Sequence, residues 1–376
     1  MKLSVIVIVY NMTREAPRTL LSLSASYQRN LSADDYEVIV VENGSTRPLD
    51  SASVHRLGSN FQYHLVKDTT GSPAAAINFG MRQARGAVVG VMIDGARICT
   101  PGLLHQVLGA TRAYERAIVA TLGFYLGREY QRFAIMKGYD HAAEDRLLEQ
   151  IGWPLDGYRL FEVGCLDESS HTFTSLAESN ALFMPKERWS ELGGVDERFD
   201  MPGGGLINLD TFFRACELPD SEMVTLLGEG TFHQVHGGIA TNAAPEIFDP
   251  KLAQWRAQYR LLRGKEFDWS TKARRYFGTF PRSYCAHLTA ELNEMFHTYA
   301  TERAGFEAYL AELQAEIARL ASHTEAILSD RARIQAERDR MERELELVTG
   351  SHSWSLTRPL RGAFRRFEAL RRSLKG

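Results

Sequence analysis

Three runs of apolar, largely β-branched residues set the terms for what this chain can fold into. Leu3–Val9 is apolar except for Ser4, residues 36–41 carry Val38, Ile39, Val40 and Val41, and residues 87–93 carry Val88, Val89, Val91 and Ile93. Runs of this length fit strands buried on both faces, as in a parallel sheet covered by helices. The intervals agree. Residues 16–27 space Leu20, Leu21 and Leu23 as a helix does, residues 73–84 set Pro73 at a helix start, and Phe61–Val66 reads as a further strand. Strands alternating with helices imply an α/β fold with a mostly parallel sheet. Ligands in such sheets lie beyond the carboxyl ends of the strands. Asn11, Glu42 and Asp94 fall at three such ends.

Several classes of function are disfavoured early. The net charge of −3 offers no electrostatic match to nucleic acid. Cys99, Cys165, Cys216 and Cys285 lie far apart with no CxxC pair, which speaks against a zinc site or a disulfide framework and fits a reducing cytosol. The apolar start ends at Tyr10-Asn11 with no small-residue cleavage site, so it is expected to be a buried strand and not a signal peptide. No stretch approaches the ~18–20 apolar residues of a spanning helix. A cytoplasmic protein, in peripheral contact with the inner face of the membrane, is the expectation.

The C-terminal part reads differently. Residues 251–300 look helical and aromatic-rich, interrupted near 278–281. Residues 306–348 then carry a seven-residue repeat. One core line is unbroken (Phe306, Leu313, Leu320, Ile327, Ile334, Met341, Val348), and the other is polar in its middle (Leu310, Ile317, Thr324, Arg331, Arg338, Leu345). This pattern predicts a coiled coil about 65 Å long and with it a homo-oligomer or coiled-coil partner, against a single long helix packed on the rest of the protein. The tail sets Arg358, Arg361, Arg365, Arg366, Arg371, Arg372 and Lys375 against Glu368 alone, with Leu360, Phe364, Phe367, Leu370 and Leu374 at helical spacing. A basic amphipathic helix suits an anionic membrane surface; the alternative is a merely solvated tail. The divisions expected are 1–245, 246–300, 301–349 and 350–376.

The motifs, taken together, resemble family-two glycosyltransferases of the A-type fold. Ser4-Val5-Ile6-Val7-Ile8-Val9-Tyr10-Asn11 and Glu37-Val38-Ile39-Val40-Val41-Glu42-Asn43-Gly44-Ser45 are similar to the first two strand ends of that family. Ala75-Ala76-Ile77-Asn78-Phe79-Gly80 resembles its Ala-x-x-Asn-x-Gly helix, and Val91-Met92-Ile93-Asp94 its strand before Asp-x-Asp. Asn180 through Phe199 resembles the acceptor-side half, so the likeness spans about the first 245 residues. It implies a Rossmann-like sheet, a nucleotide-sugar donor (a UDP-sugar) and a divalent cation, Mn²⁺ or Mg²⁺. It also implies that Val9, Tyr10, Asn11, Glu42 and Asp94 line the donor, with Glu42 accepting from the uracil N–H. The alternative is that Glu42 only closes the turn with Gly44 and Ser45.

The departures from the pattern matter as much. Asp94-Gly95-Ala96 lacks the second carboxylate of Asp-x-Asp. A histidine from Phe232-His233-Gln234-Val235-His236 is expected to complete the metal shell. His233 and His236 stand three apart, so on a strand at most one would face the ion. Asn208 stands where the resemblance implies the general base, leaving Asp210 either as that base or as an i,i+4 partner of Arg214, with Glu178 and Glu229 in reserve. Gly203-Gly204-Gly205 lacks the Lys-Ser/Thr of a phosphate loop and fits an acceptor loop better. The stretch Ser351–Arg361 resembles a terminal motif of bacterial surface-polysaccharide enzymes. The reading is an inverting glycosyltransferase acting on a growing cell-surface glycan. Its alternative is an inactive scaffold that organises glycan-assembly enzymes through the coiled coil.

Overall fold

In the computed structural model, strands β1 (Leu3–Val9), β2 (Tyr36–Asn43), β3 (Phe61–Val66) and β4 (Val88–Met92) pair in parallel in the order β3-β2-β1-β4. The structure describes residues 1–67, 69–173, 176–243 and 245–373. Every residue of β1, β2 and β4 is buried, as runs without alternation require, and each Val or Ile so buried contributes about 1.5–3 kcal/mol. The one polar residue of β1 has its reason: Ser4 donates to Glu37 at 2.6 Å and accepts from the Gly86 N–H at 2.8 Å. Helix Ala74–Gln83 lies directly on β1, and a Cβ at Gly80 would stand 2.5 Å from Ile6.

The second half of the sheet departs from the parallel pattern. β5 (Arg97–Cys99), β6 (Ala117–Leu126), β7 (Gly164–Leu166), β8 (Ala181–Pro185), β9 (Glu222–His233) and β10 (Arg274–Gly278) continue it. β8 lies between β4 and β6 and runs antiparallel to both; β6, β9 and β10 then run parallel to one another. The sheet of ten strands among the described residues is therefore mixed. β10 corrects the helical expectation for residues 251–300: helix Pro245–Arg263 is followed by this edge strand before helix Arg282–Gly350 begins. Two apolar clusters cover the sheet's faces, one around Ile6, Ile39, Ile77 and Phe232, the other around Val7, Val40, Leu103 and Phe183. All four cysteines are free.

The chain divides into two compact units, Met1–Leu292 and Asn293–Gly376. In the second, both core lines of the repeat are helical and exposed from Phe306 to Val348, with Arg338 paired to Glu342 and Arg340 to Glu344 along the surface. Ser351 caps the short helix His352–Leu356, and the Arg361 guanidinium lies 3.6 Å over the Trp354 ring. Helix Arg358–Ser373 carries the basic tail; Leu374 and Lys375 lie outside the described residues. No helix among the described residues is long and apolar enough to cross a membrane.

Candidate metal and donor site

The parallel register brings the predicted strand ends together. Val9 stands opposite Glu42 on β2, and Val7 opposite Met92 on β4, so Asn11, Glu42 and Asp94 follow three neighbouring ends. Asn11 takes a left-handed φ of 54°, which asparagine tolerates better than most residues. Its N–H donates to Ser45 at 2.7 Å, and its Oδ1 accepts from Thr46 and from the Arg47 N–H. Glu42 is fully buried and accepts from Ser45, from the Leu49 N–H at 3.0 Å and from Tyr63 at 3.4 Å. These two residues stitch loop 43–49 to the sheet. Val9 is sealed in the core, while the Tyr10 ring is half exposed at the same edge.

Asp94 leaves β4 and turns sharply. Its Oδ1 accepts from the Ala96 N–H at 2.9 Å, and a Cβ at Gly95 would press to 2.8 Å from the Ile8 carbonyl. Ala96 is fully buried in the apolar core. A carboxylate there would lose its water without a partner, which accounts for the missing second acid. The partners of Asp94 come from the end of β9 and the residues just after it. His233 Nε2 lies 2.9 Å and His236 Nε2 3.5 Å from Asp94 Oδ2, and the two nitrogens are 3.0 Å apart. Both histidines therefore face Asp94, which corrects the expectation of one. β9 ends at His233, and the chain has left strand geometry before His236, turning at Gly237 with φ 83°.

This arrangement meets the geometric demands of a cation site. Three atoms bound to one ion at about 2.1 Å and about 90–110° apart lie about 3.0–3.4 Å from each other, and the three atoms here are 2.9, 3.0 and 3.5 Å apart. The protonation pattern fits as well. Gln131 Nε2 donates to the His233 carbonyl, which turns its Oε1 to accept from His233 Nδ1 at 2.7 Å. The proton on Nδ1 leaves the Nε2 lone pair aimed at Asp94. Burial pushes the His233 imidazole down to about 4. For Asp94 burial works the other way, but His236 and His233 outweigh it and hold the carboxyl well below the usual range. Burial also lowers His236, yet Asp94 prevails and its value is raised. Asn242 Oδ1 accepts from the N–H groups of His236, Gly237 and Gly238, and Glu144 accepts from that of Val235 at 2.7 Å, so the ligand loop is fixed from both sides. The nearest cation to Asp94 is the buried Arg97, whose Nε is 3.9 Å away.

Asp210 sits on helix Ile207–Glu217, fully buried. Arg214 donates to it at 2.8 Å, the i,i+4 pair anticipated from the sequence, and Arg263 grips both its oxygens at 2.6 and 2.7 Å. Asn208, on the first turn of that helix, donates to Glu178 at 2.6 Å. Glu229 is buried elsewhere, bound by the hydroxyls of Thr100 and Tyr158. The three glycines Gly203, Gly204 and Gly205 take φ values of 78°, 81° and 58°, a turn that other residues would strain, leading into Asn208. Gln131, Asn242 and Arg97 carried no signal in the sequence, because their partners are remote along the chain or of unremarkable type.

Residues 4–170 match the family model described as glycosyl transferase family 2. Among solved structures, S. aureus TarS 1–349 in complex with UDP-GlcNAc is 15% identical, with a TM-score of 0.45, covering 69% of this chain and 67% of that one. The same fragment in complex with UDP is 14% identical, with a TM-score of 0.39 and 69% and 66% covered. This chain spans 66% of TarS 1–349 and 40% of the longer S. aureus TarS. No curated protein matches the chain in sequence. The family match covers residues 4–170, the part of the chain that holds Asp94 and the strand ends around it.

Proposed function

We propose that this chain is an inverting glycosyltransferase that moves a sugar from a UDP-sugar to a growing cell-surface polysaccharide. The observation that carries the proposal is the convergence of Asp94, His233 and His236 beyond the carboxyl end of β4. Two imidazoles with one carboxylate suit Mn²⁺ better than Mg²⁺, which prefers oxygen throughout. Bound there, the ion neutralises charge that grows on the leaving diphosphate. The half-exposed Tyr10 ring offers a face to the base, and Asn11 and Glu42 hold the loop that borders it, while Val9, expected from the sequence to line the donor, lies sealed in the core. Asp210, the base expected from the sequence, has both oxygens in ion pairs. The exposed core lines of residues 306–348 support self-association as a coiled coil. The helix Arg358–Ser373 supports peripheral contact with an anionic membrane at the cytoplasmic face. The surface-glycan acceptor rests on the tail's resemblance.

Calorimetric titration with UDP, with and without Mn²⁺ and with GDP as control, tests this reading. Binding of UDP that Mn²⁺ strengthens is expected. Failure of UDP to bind in either condition refutes it and favours the scaffold.

A further inference from the structure

The reaction needs a base, and the structure separates its buried carboxylates into two kinds. Asp210, Glu37 and Glu144 each rest against a guanidinium, from Arg214 and Arg263, Arg85, and Arg14 respectively. A carboxylate so paired gives up that pairing if it takes a proton. Glu178, Glu229, Glu42 and Asp167 have no such partner among the described residues; Glu42 is fully buried against Ser45 and the Leu49 N–H, and Asp167 is buried and accepts from Ser169. Glu229 is closed in by Thr100 and Tyr158 and is 2% exposed. Glu178 is partly exposed, so among these acids it combines a free charge with a route to substrate.

Its position is right as well. β8 runs antiparallel to β4 with Ala181 opposite Met92. Glu178 precedes the start of β8 by three residues and Asp94 follows the end of β4 by two, so both leave the sheet at the same edge. Arg97 links the two carboxyls: its buried guanidinium lies 3.9 Å from Asp94 and acts electrostatically on Glu178.

We propose that Glu178, held by Asn208, takes the proton from the acceptor hydroxyl. The assignment rests on the transferase reading above. Asn208 occupies the place where the sequence anticipated an acid, and it spends its amide on the Glu178 carboxylate at 2.6 Å. The acid has moved one hydrogen bond away and the amide orients it. In the step, the acceptor oxygen bonds to the anomeric carbon while the bond from that carbon to the diphosphate oxygen breaks. The electron pair of the broken bond leaves with the diphosphate, and the acceptor proton passes to Glu178. The environment favours such a base: burial raises its carboxyl above the ordinary glutamate value and Asp167 adds to this, against opposing effects of Arg97, Asn208 and Asn180.

The test uses the full chain with Mn²⁺ and UDP-glucose, UDP-galactose and UDP-N-acetylglucosamine in turn, water serving as acceptor and UDP release as the readout. Glu178→Gln is expected to lower kcat by about 10²–10⁴-fold while UDP affinity by calorimetry stays within about threefold. The double variant Glu178→Gln/Asn208→Asp exchanges amide and carboxylate across one hydrogen bond, and is expected to regain at least about tenfold of the lost rate. If Glu178→Gln does not fold, Glu178→Asp takes its place, with lowered kcat and unchanged UDP affinity expected. A single variant that keeps the wild-type rate, or one whose UDP affinity falls in step with the rate, overturns the base assignment alone. Wild-type protein that neither binds UDP nor releases it overturns the transferase reading and this assignment together.

Discussion

Replacing Asp210 with asparagine distinguishes an anchor from a base. The side chain is fully buried and receives Arg214 at 2.8 Å and Arg263 at 2.6 and 2.7 Å. Asparagine keeps one acceptor but removes the charge that balances two partly buried guanidinium groups. Breaking a buried pair by removing one partner costs about 3–5 kcal/mol. Arg263 keeps Asp196 at 2.8 Å, and Arg214 keeps the carbonyls of Leu192 and Gly194, so the lower half of that range is expected. For a unit of this size, about 2–3 °C of Tm accompanies each kcal/mol, giving a fall of roughly 6–12 °C. Thermal unfolding by circular dichroism measures it, beside UDP release at a temperature where both proteins are folded. A Tm within about 2 °C of wild type, together with lost turnover, would refute the anchor and return Asp210 to the role of base.

Three further outcomes are expected. Gln131→Leu removes the acceptor that fixes the His233 tautomer and should weaken Mn²⁺ binding by about 10–100-fold in calorimetry; unchanged affinity would dismiss this orienting role. Burial raises the Glu229 carboxyl to about 7, against the hydrogen bonds from Thr100 and Tyr158. The folded state then keeps a proton that the unfolded chain releases, so stability declines as pH rises from about 4.5 to 7. In urea unfolding, Glu229→Gln should remove about 3 kcal/mol of that decline, leaving the part due to Glu144, which burial likewise raises to about 7; a curve identical to wild type would contradict it. Ile327→Asp on the unbroken core line should convert the oligomer to monomer in sedimentation equilibrium, and an unchanged mass would exclude residues 306–348 as the interface.

The first half of the sheet was legible because its strands are buried on both faces, so local composition and tertiary role coincide. β1, β2, β3 and β4 fall where their apolar runs lie, and their polar successors converge as parallel topology requires. The second half was harder to see. β10, Arg-Arg-Tyr-Phe-Gly at the sheet's edge, has no continuous apolar run to announce it. The antiparallel placement of β8 depends on register with β4 and β6, which nothing in its own five residues encodes. The histidines were visible as a pair. Strand periodicity misjudged them because the chain leaves β9 between the two. Gln131 and Asn242 became intelligible only once folding had set them beside His233.

The proposed metal ligands lie far apart in the sequence of the first unit, Asp94 after β4 and His233 and His236 at and after the end of β9. An ion held there has no comparable site in the unfolded chain, so mass action makes it a clasp: at 100 times its Kd it adds about 2.7 kcal/mol to the fold. Melting temperature should then climb with the logarithm of free Mn²⁺, and chelation should soften the sheet as well as halt turnover. Were the ion to leave with the diphosphate, Asp94 and the two histidines would lose that shared tie until donor and metal were bound again.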